Sequence, residues 1–185
     1  MEKNNYSGNR KSFMETGDIF FWTATINKWQ PLLKEDRFKE VIIQSLTNLS
    51  ERNLIDVFAF VIMPNHLHLI WRTNALNGKE TAQGSFLKFT AHAFKKLLKN
   101  SPAILASYAV TAHNKQYEFW QRDSLAIQLY SREVMLQKLH YIHLNPTAGC
   151  WQLVGDPCDY YFSSAGFYEM NKSNFNFLKD VRNEF

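Results

Sequence analysis

The chain has 185 residues, 45% hydrophobic and 15% aromatic, enough for one domain with a sizeable core and too apolar for a disordered polymer. Twenty-one Lys and Arg against seventeen Asp and Glu leave a formal charge of +4 and a pI near 9.0, compatible with a polyanionic partner without demonstrating one. The two cysteines, Cys150 and Cys158, have no second pair with which to make a zinc site, and no apolar run approaches the roughly 18 residues of a membrane span.

Residues 1–17 are polar, carry Lys3, Arg10 and Lys11, and are expected to form a loose arm without the apolar core of a secretion signal. A reduced, cytoplasmic and nucleoid-associated setting follows as the expectation. Ile19 to Ile26 is aromatic and β-branched, hence a strand. From Asp36 to Leu49 apolar residues recur at spacings of three and four, an amphipathic helix. Val57 to Met63 is a nearly unbroken apolar strand, Pro64-Asn65 a turn, and His66 to Trp71 a second strand that alternates. Residues 73–84 read as a polar loop, with Ser85 as the N-cap of a helix running to about Lys99. Residues 100–115 are ambiguous, and Gln116 to Leu129 looks extended. Ser131 caps a further helix that must stop near Leu144, because Asn145 precedes Pro146 and should leave the α region. The chain from Gly149 is irregular and aromatic.

This order, β-α-β-β-α-β, is the ferredoxin-like pattern. It predicts an α+β fold with an antiparallel sheet, two helices on one face, and an added C-terminal helix carrying a tyrosine. The expected divisions are an arm at 1–17, one catalytic domain at 18–168 and a tail at 169–185.

His66, His68 and Ile70 fall on one strand face, and Leu67, Leu69 and Trp71 on the other. A lone buried histidine is ordinarily a core residue with its hydrogen bonds met. Two at i and i+2 also fit a metal or catalytic pair, with both rings expected at a solvent-accessible site. On the helix after Ser131, Met135, Leu139 and Ile142 should face the core, and Gln137, Tyr141 and Asn145 form a polar stripe with Lys138 beside it. Tyr141 read alone fits a packed ring with a bonded hydroxyl, and Asn145 a helix C-terminal residue. On the preceding helix Lys88, His92, Lys95 and Lys99 make one basic face, either solvated or DNA-binding, apart from an apolar stripe of Phe89, Ala93 and Leu97. His113, His140 and His143 are left without a role.

The run Val61-Ile62-Met63-Pro64-Asn65-His66-Leu67-His68-Leu69-Ile70-Trp71, followed some seventy residues later by Tyr141-Ile142-His143-Leu144-Asn145-Pro146, resembles the HUH single-tyrosine transposases. The closer resemblance is to their REP-associated tyrosine transposase branch. Phe119-Trp120-Gln121-Arg122 and residues 159–165 also resemble that branch, and the likeness covers roughly residues 18–168. It implies that His66 and His68 hold a divalent cation, Mg²⁺ or Mn²⁺, that Asn145 completes the site, and that Tyr141 is the nucleophile. His143 belongs to the motif but should point away from Tyr141. The sequence departs from the family after Asn145, where Pro-Thr-Ala-Gly-Cys stands in place of the usual Pro-Val-Arg-Ala-Gly and an arginine is missing.

The expected function is a single-stranded DNA endonuclease and strand transferase acting at hairpin-bearing sites through a 5′-phosphotyrosine. The expected partner is hairpin-bearing single-stranded DNA, with no membrane, and the chain is expected to act as a monomer or homodimer. The alternatives are a non-catalytic DNA-binding relative and a metal-dependent phosphoesterase that uses water.

Overall fold

The structure, a computed structural model, describes residues 14–112, 115–122, 124–172 and 174–185. Most of the expected N-terminal arm, with Lys3, Arg10 and Lys11, lies outside the described residues, as does His113. In chain order the main elements are β1 (Ile19–Thr25), α1 (Asp36–Glu51), β2 (Ile55–Ile62), β3 (His66–Thr73) and α2 (Ala82–Leu97). There follow α3 (Pro102–Ala106), β4 (Ala109–Ala112), β5 (Lys115–Tyr117), β6 (Leu125–Gln128), α4 (Arg132–Leu144) and α5 (Ala165–Met170). Four strands make one antiparallel sheet in the order β2-β3-β1-β6. This is the ferredoxin-like arrangement, with β6 as the fourth strand and α3, β4 and β5 inserted before it. The α+β expectation holds.

The sheet has two buried faces, and strand alternation assigns each residue to one of them. Phe20, Trp22 and Ala24 of β1 join Leu67, Leu69 and Trp71 of β3 beneath α1 and α2. Ile19 and Phe21 join Ile70 on the opposite face beneath α4, whose Met135, Leu139 and Ile142 are buried there as expected. β2 reads as an unbroken apolar run because both of its faces are covered. A bulge at Phe58 shifts its phase, so that Val57 and Phe60 face α1 while Phe58, Ala59 and Val61 face α4.

The outer edge of β2 does not stand open. The Ile62 N–H donates to Phe162 O, Ser164 N–H to Phe60 O, and Lys179 N–H to Val57 O. Phe175, Phe177 and Val181 are buried. Residues 169–185, read in the sequence as a tail, therefore help to cover an edge that would otherwise invite pairing with another chain.

Three local readings are corrected. α2 begins one turn before Ser85: Thr81 is its N-cap, its hydroxyl accepting from the Gly84 N–H at 3.0 Å, while the Ser85 hydroxyl accepts from Asn77 Nδ2 at 2.9 Å. The buried stripe of α2 runs through Phe86, Thr90 and Phe94, and Phe89 is exposed. Thr90 is tolerated there because its hydroxyl donates to Phe86 O and accepts from Trp120 Nε1. Finally, Asn145 keeps α-helical angles (φ −51°, ψ −44°) despite preceding proline. Pro146 opens a short 3₁₀ turn, Asn145–Thr147, where its missing N–H costs little, and the Asn145 side chain donates back to Tyr141 O at 3.2 Å.

Candidate active site

β3 carries the two histidines on the face that α4 covers, and the pairing register explains their support. His68 lies opposite Thr23 on β1, and His68 Nδ1 and Thr23 Oγ1 are 2.7 Å apart. His66 follows the turn residue Asn65 and donates from Nδ1 to Asn65 Oδ1 at 2.7 Å. A carbonyl oxygen can only accept, so the His66 proton sits on Nδ1 and the Nε2 lone pair is left free. The rings are 4.8 Å apart between centroids. Both are buried, at 7% and 5% exposure, which corrects the expectation that they would lie open to solvent. Trp29 and Trp151 each approach His66 to 6.1 Å, and Tyr141 approaches His68 to 5.2 Å.

Burial disfavours the imidazolium form. It pushes the pKa of His66 down to about 4, against a smaller opposing effect of the Asn145 side chain. It pushes that of His68 down to about 3, with the charges of His66 and Lys138 adding to the effect. Both rings are neutral at pH 7, the state a metal requires.

The donor set fits a divalent cation. His68 Nε2 is buried with no hydrogen-bond partner, as are the indole nitrogens of Trp22 and Trp71 on the other face. An indole N–H offers no lone pair, whereas His68 Nε2 offers one in the tautomer that donates from Nδ1 to the Thr23 hydroxyl. Asn145, buried beside His66, brings an amide oxygen. Among the described residues no three His, Cys, Asp or Glu side chains gather, so the set is two imidazoles and an amide rather than a carboxylate cage.

α4 delivers Tyr141 to this point. Its ring is 48% exposed and stands edge-on to both His68 and Phe21, which itself stacks on His68 at 5.2 Å. Lys138, one turn earlier, places Nζ 5.1 Å from the Phe21 centroid and 5.9 Å from that of Tyr141. Two further tyrosines sit elsewhere. Tyr130 precedes α4, three turns away, and the Tyr160 hydroxyl donates to Ile62 O at 2.7 Å. His143 points the other way, as expected, into the core against Ser164 Oγ at 3.0 Å.

The structure thus brings His66, His68, Tyr141 and Asn145 together, and leaves Lys88, His92, Lys95 and Lys99 apart from them. All four are exposed, Lys88, His92 and Lys95 on α2 and Lys99 just past its end, and α2 packs against the opposite sheet face. Lys88, His92 and Lys95 border a groove of about 600 Å³ shared with Lys115 and Tyr117. Lys88 is paired with Glu80, and Lys95 lies over the Tyr117 ring at 5.1 Å. Thr23, Asn65, Phe21 and both tryptophans escaped the sequence reading. Thr23 could have been found only from the β1–β3 register, which no local pattern prints.

No protein-family model and no curated protein matches the chain. Among solved structures it is similar to a REP-associated tyrosine transposase bound to a REP hairpin, at TM-score 0.57 and 18% identity, over 95% of this chain and 93% of that one. The chain has the fold of a REP-associated tyrosine transposase. A second likeness is to a Deinococcus radiodurans protein described as a candidate transposase, at TM-score 0.38 and 15% identity, over 77% of this chain and 95% of that one. No helix among the described residues is long and apolar enough to cross a membrane.

Proposed function

We propose that the chain is a transposase-like, divalent-metal-dependent endonuclease and strand transferase, which cleaves and rejoins single-stranded DNA at hairpin-bearing sites through a 5′-phosphotyrosine at Tyr141. The observation that carries this reading is the convergence of two distant motifs: His66 and His68 on β3 meet Tyr141 and Asn145 on the end of α4. A neighbour of the same fold, solved with a REP hairpin, supports hairpin DNA as the substrate class.

A cation held by His66, His68 and Asn145 would stabilise the negative charge that grows on the phosphate under attack. The chain's own groups do the rest. Tyr141 Oη forms a bond to phosphorus, losing its proton, and the bond from phosphorus to the 3′ oxygen breaks. That oxygen leaves as a 3′-hydroxyl after taking up a proton, and the 5′-phosphate remains joined to the tyrosine. Tyrosine ionises near pH 10 in water, so the neutral phenol is a poor nucleophile until its proton is removed. Phe21, packed against His68 and Tyr141, fixes the angle between nucleophile and ligands. A phosphotyrosine replaces one phosphoester with another, so a 3′-hydroxyl can attack in reverse and rejoin strands without ATP.

The test is incubation with hairpin-bearing single strands and Mn²⁺ or Mg²⁺. The expected products are a strand ending in a 3′-hydroxyl and a protein–DNA band that survives a denaturing gel, both abolished by EDTA. Cleavage without any protein-linked strand would mean that water, not tyrosine, attacks. Cleavage indifferent to EDTA would remove the metal.

A further inference from the structure

Trp29 is an exposed tryptophan beside His66, and its backbone is unusual. Lys28 and Trp29 are consecutive non-glycine residues in the left-handed region, both at φ +56°. Bulky side chains rarely adopt that conformation, and where they do the surroundings must hold it. Here they do. The Trp29 N–H donates to Ile26 O at 2.9 Å, and Trp29 O accepts from Asn65 Nδ2 at 3.2 Å. Gln30 is anchored to Ser107 through two hydrogen bonds. The result is an indole left 58% exposed that belongs to neither core cluster. Burial therefore does not account for a tryptophan at this position.

Its placement does. Asn65 accepts from His66 with one end of its amide and holds the Trp29 carbonyl with the other, so the indole is coupled to a candidate ligand. The two rings are 6.1 Å apart. A second indole, Trp151, stands at the same distance from His66 and lines a depression of about 510 Å³ with Tyr141 and Asn145. Lys28, also exposed, adds a cation to the same turn.

We propose that Trp29 is a stacking platform for an unpaired nucleobase next to the scissile phosphate, with Trp151 as a second wall of the same subsite. This rests on the reading of His66, His68 and Tyr141 as a nucleic-acid cleavage site. A base inside a stem already has both faces stacked, so such a platform selects single-stranded flank over stem. It tolerates sequence, because every base offers a π-face. The subsite therefore positions the flank for cleavage without reading its sequence.

The experiment combines an abasic scan with substitution of Trp29. A hairpin-bearing strand with an end label is prepared with a single abasic site at each flanking position in turn, and binding is followed by anisotropy. With the natural protein, one abasic position should weaken binding about tenfold, within the range found for base–aromatic stacking. Trp29→Gly suits the left-handed backbone and should fold at least as well, as thermal melting checks. It should lose the same factor on the intact strand and lose nothing more at that abasic position. Trp29→Phe should keep most of the affinity.

Equal binding by Trp29→Gly and the natural protein, or losses that multiply at every position, would overturn the platform. If the natural protein forms the tyrosine adduct while Trp29→Gly behaves identically in binding, only this inference fails. If the natural protein neither binds the strand nor forms an adduct, the reading of the site fails with it.

Discussion

At the scale of single residues, His66 and His68 show how a strand can hold two neutral imidazoles side by side in an apolar setting. Each ring has one nitrogen engaged, by Asn65 or Thr23, and burial keeps both rings neutral. His66→Ala or His68→Ala should abolish cleavage and leave the melting temperature of the metal-free protein little changed. The nitrogen of His68 that has no hydrogen-bond partner contributes little to stability, so its loss is one of packing alone. Cleavage by either variant at rates near the natural protein's would remove the pair from the chemistry. Most of this site was legible: strand alternation placed both rings on one face, and the helical spacing put Tyr141 and Asn145 on one stripe. The polar groups that orient the rings were not, because Thr23 reaches His68 only through the β1–β3 register.

At the scale of elements, the sheet's edge and its helices carry separate tasks. Asp56 on β2 is almost fully buried and receives Arg72 from β3 and Lys179 from the C-terminal segment. Burial raises its pKa, but the bonds from Lys179 and Arg72 outweigh this and hold the carboxyl below its usual value. Asp56→Ala should destabilise the fold by about 2 kcal/mol, because it leaves partly buried Arg72 with Glu184 alone and loosens the segment that covers the β2 edge. Chemical denaturation measures this, and a change below about 0.5 kcal/mol would assign Asp56 no more than a surface pair's weight. On α2, charge reversal at Lys88 and Lys95 should weaken single-strand binding across sequences. It should also lower the salt slope by about one unit for each phosphate that is no longer neutralised. Unchanged affinity at two salt concentrations would leave those lysines as a solvated face. The boundaries of α2 and the state of Asn145 escaped the sequence for one reason. Propensity rules name a capping serine and a pre-proline residue, while tertiary partners decide which hydroxyl caps and which proline is tolerated.

At the scale of the whole molecule, the ferredoxin-like order was readable because long periodic segments alternate cleanly. The insertion of α3, β4 and β5 was not, since those elements are short and mostly exposed. The same architecture sets the acid limit of the protein. His66, His68 and His143 are buried, with pKa values lowered from 6.5 to about 4, 3 and 4 respectively. Each binds its proton more readily in the unfolded chain, so the stability is fully present above pH 6.5 and is lost as the pH falls towards 4. Metal-free protein should lose on the order of 1 kcal/mol per pH unit for each histidine in that window. A melting temperature flat from pH 7 to pH 5 would contradict it. The central claim is that the fold joins a strand motif and a helix motif, more than seventy residues apart, into one catalytic centre. Mass-spectrometric mapping of the DNA-linked peptide, after reaction with a hairpin-bearing single strand and Mn²⁺, tests this most directly. The adduct is expected on the α4 peptide at Tyr141 and should vanish in Tyr141→Phe while DNA binding persists. An adduct on any peptide lacking Tyr141, or one that survives Tyr141→Phe, would contradict the account.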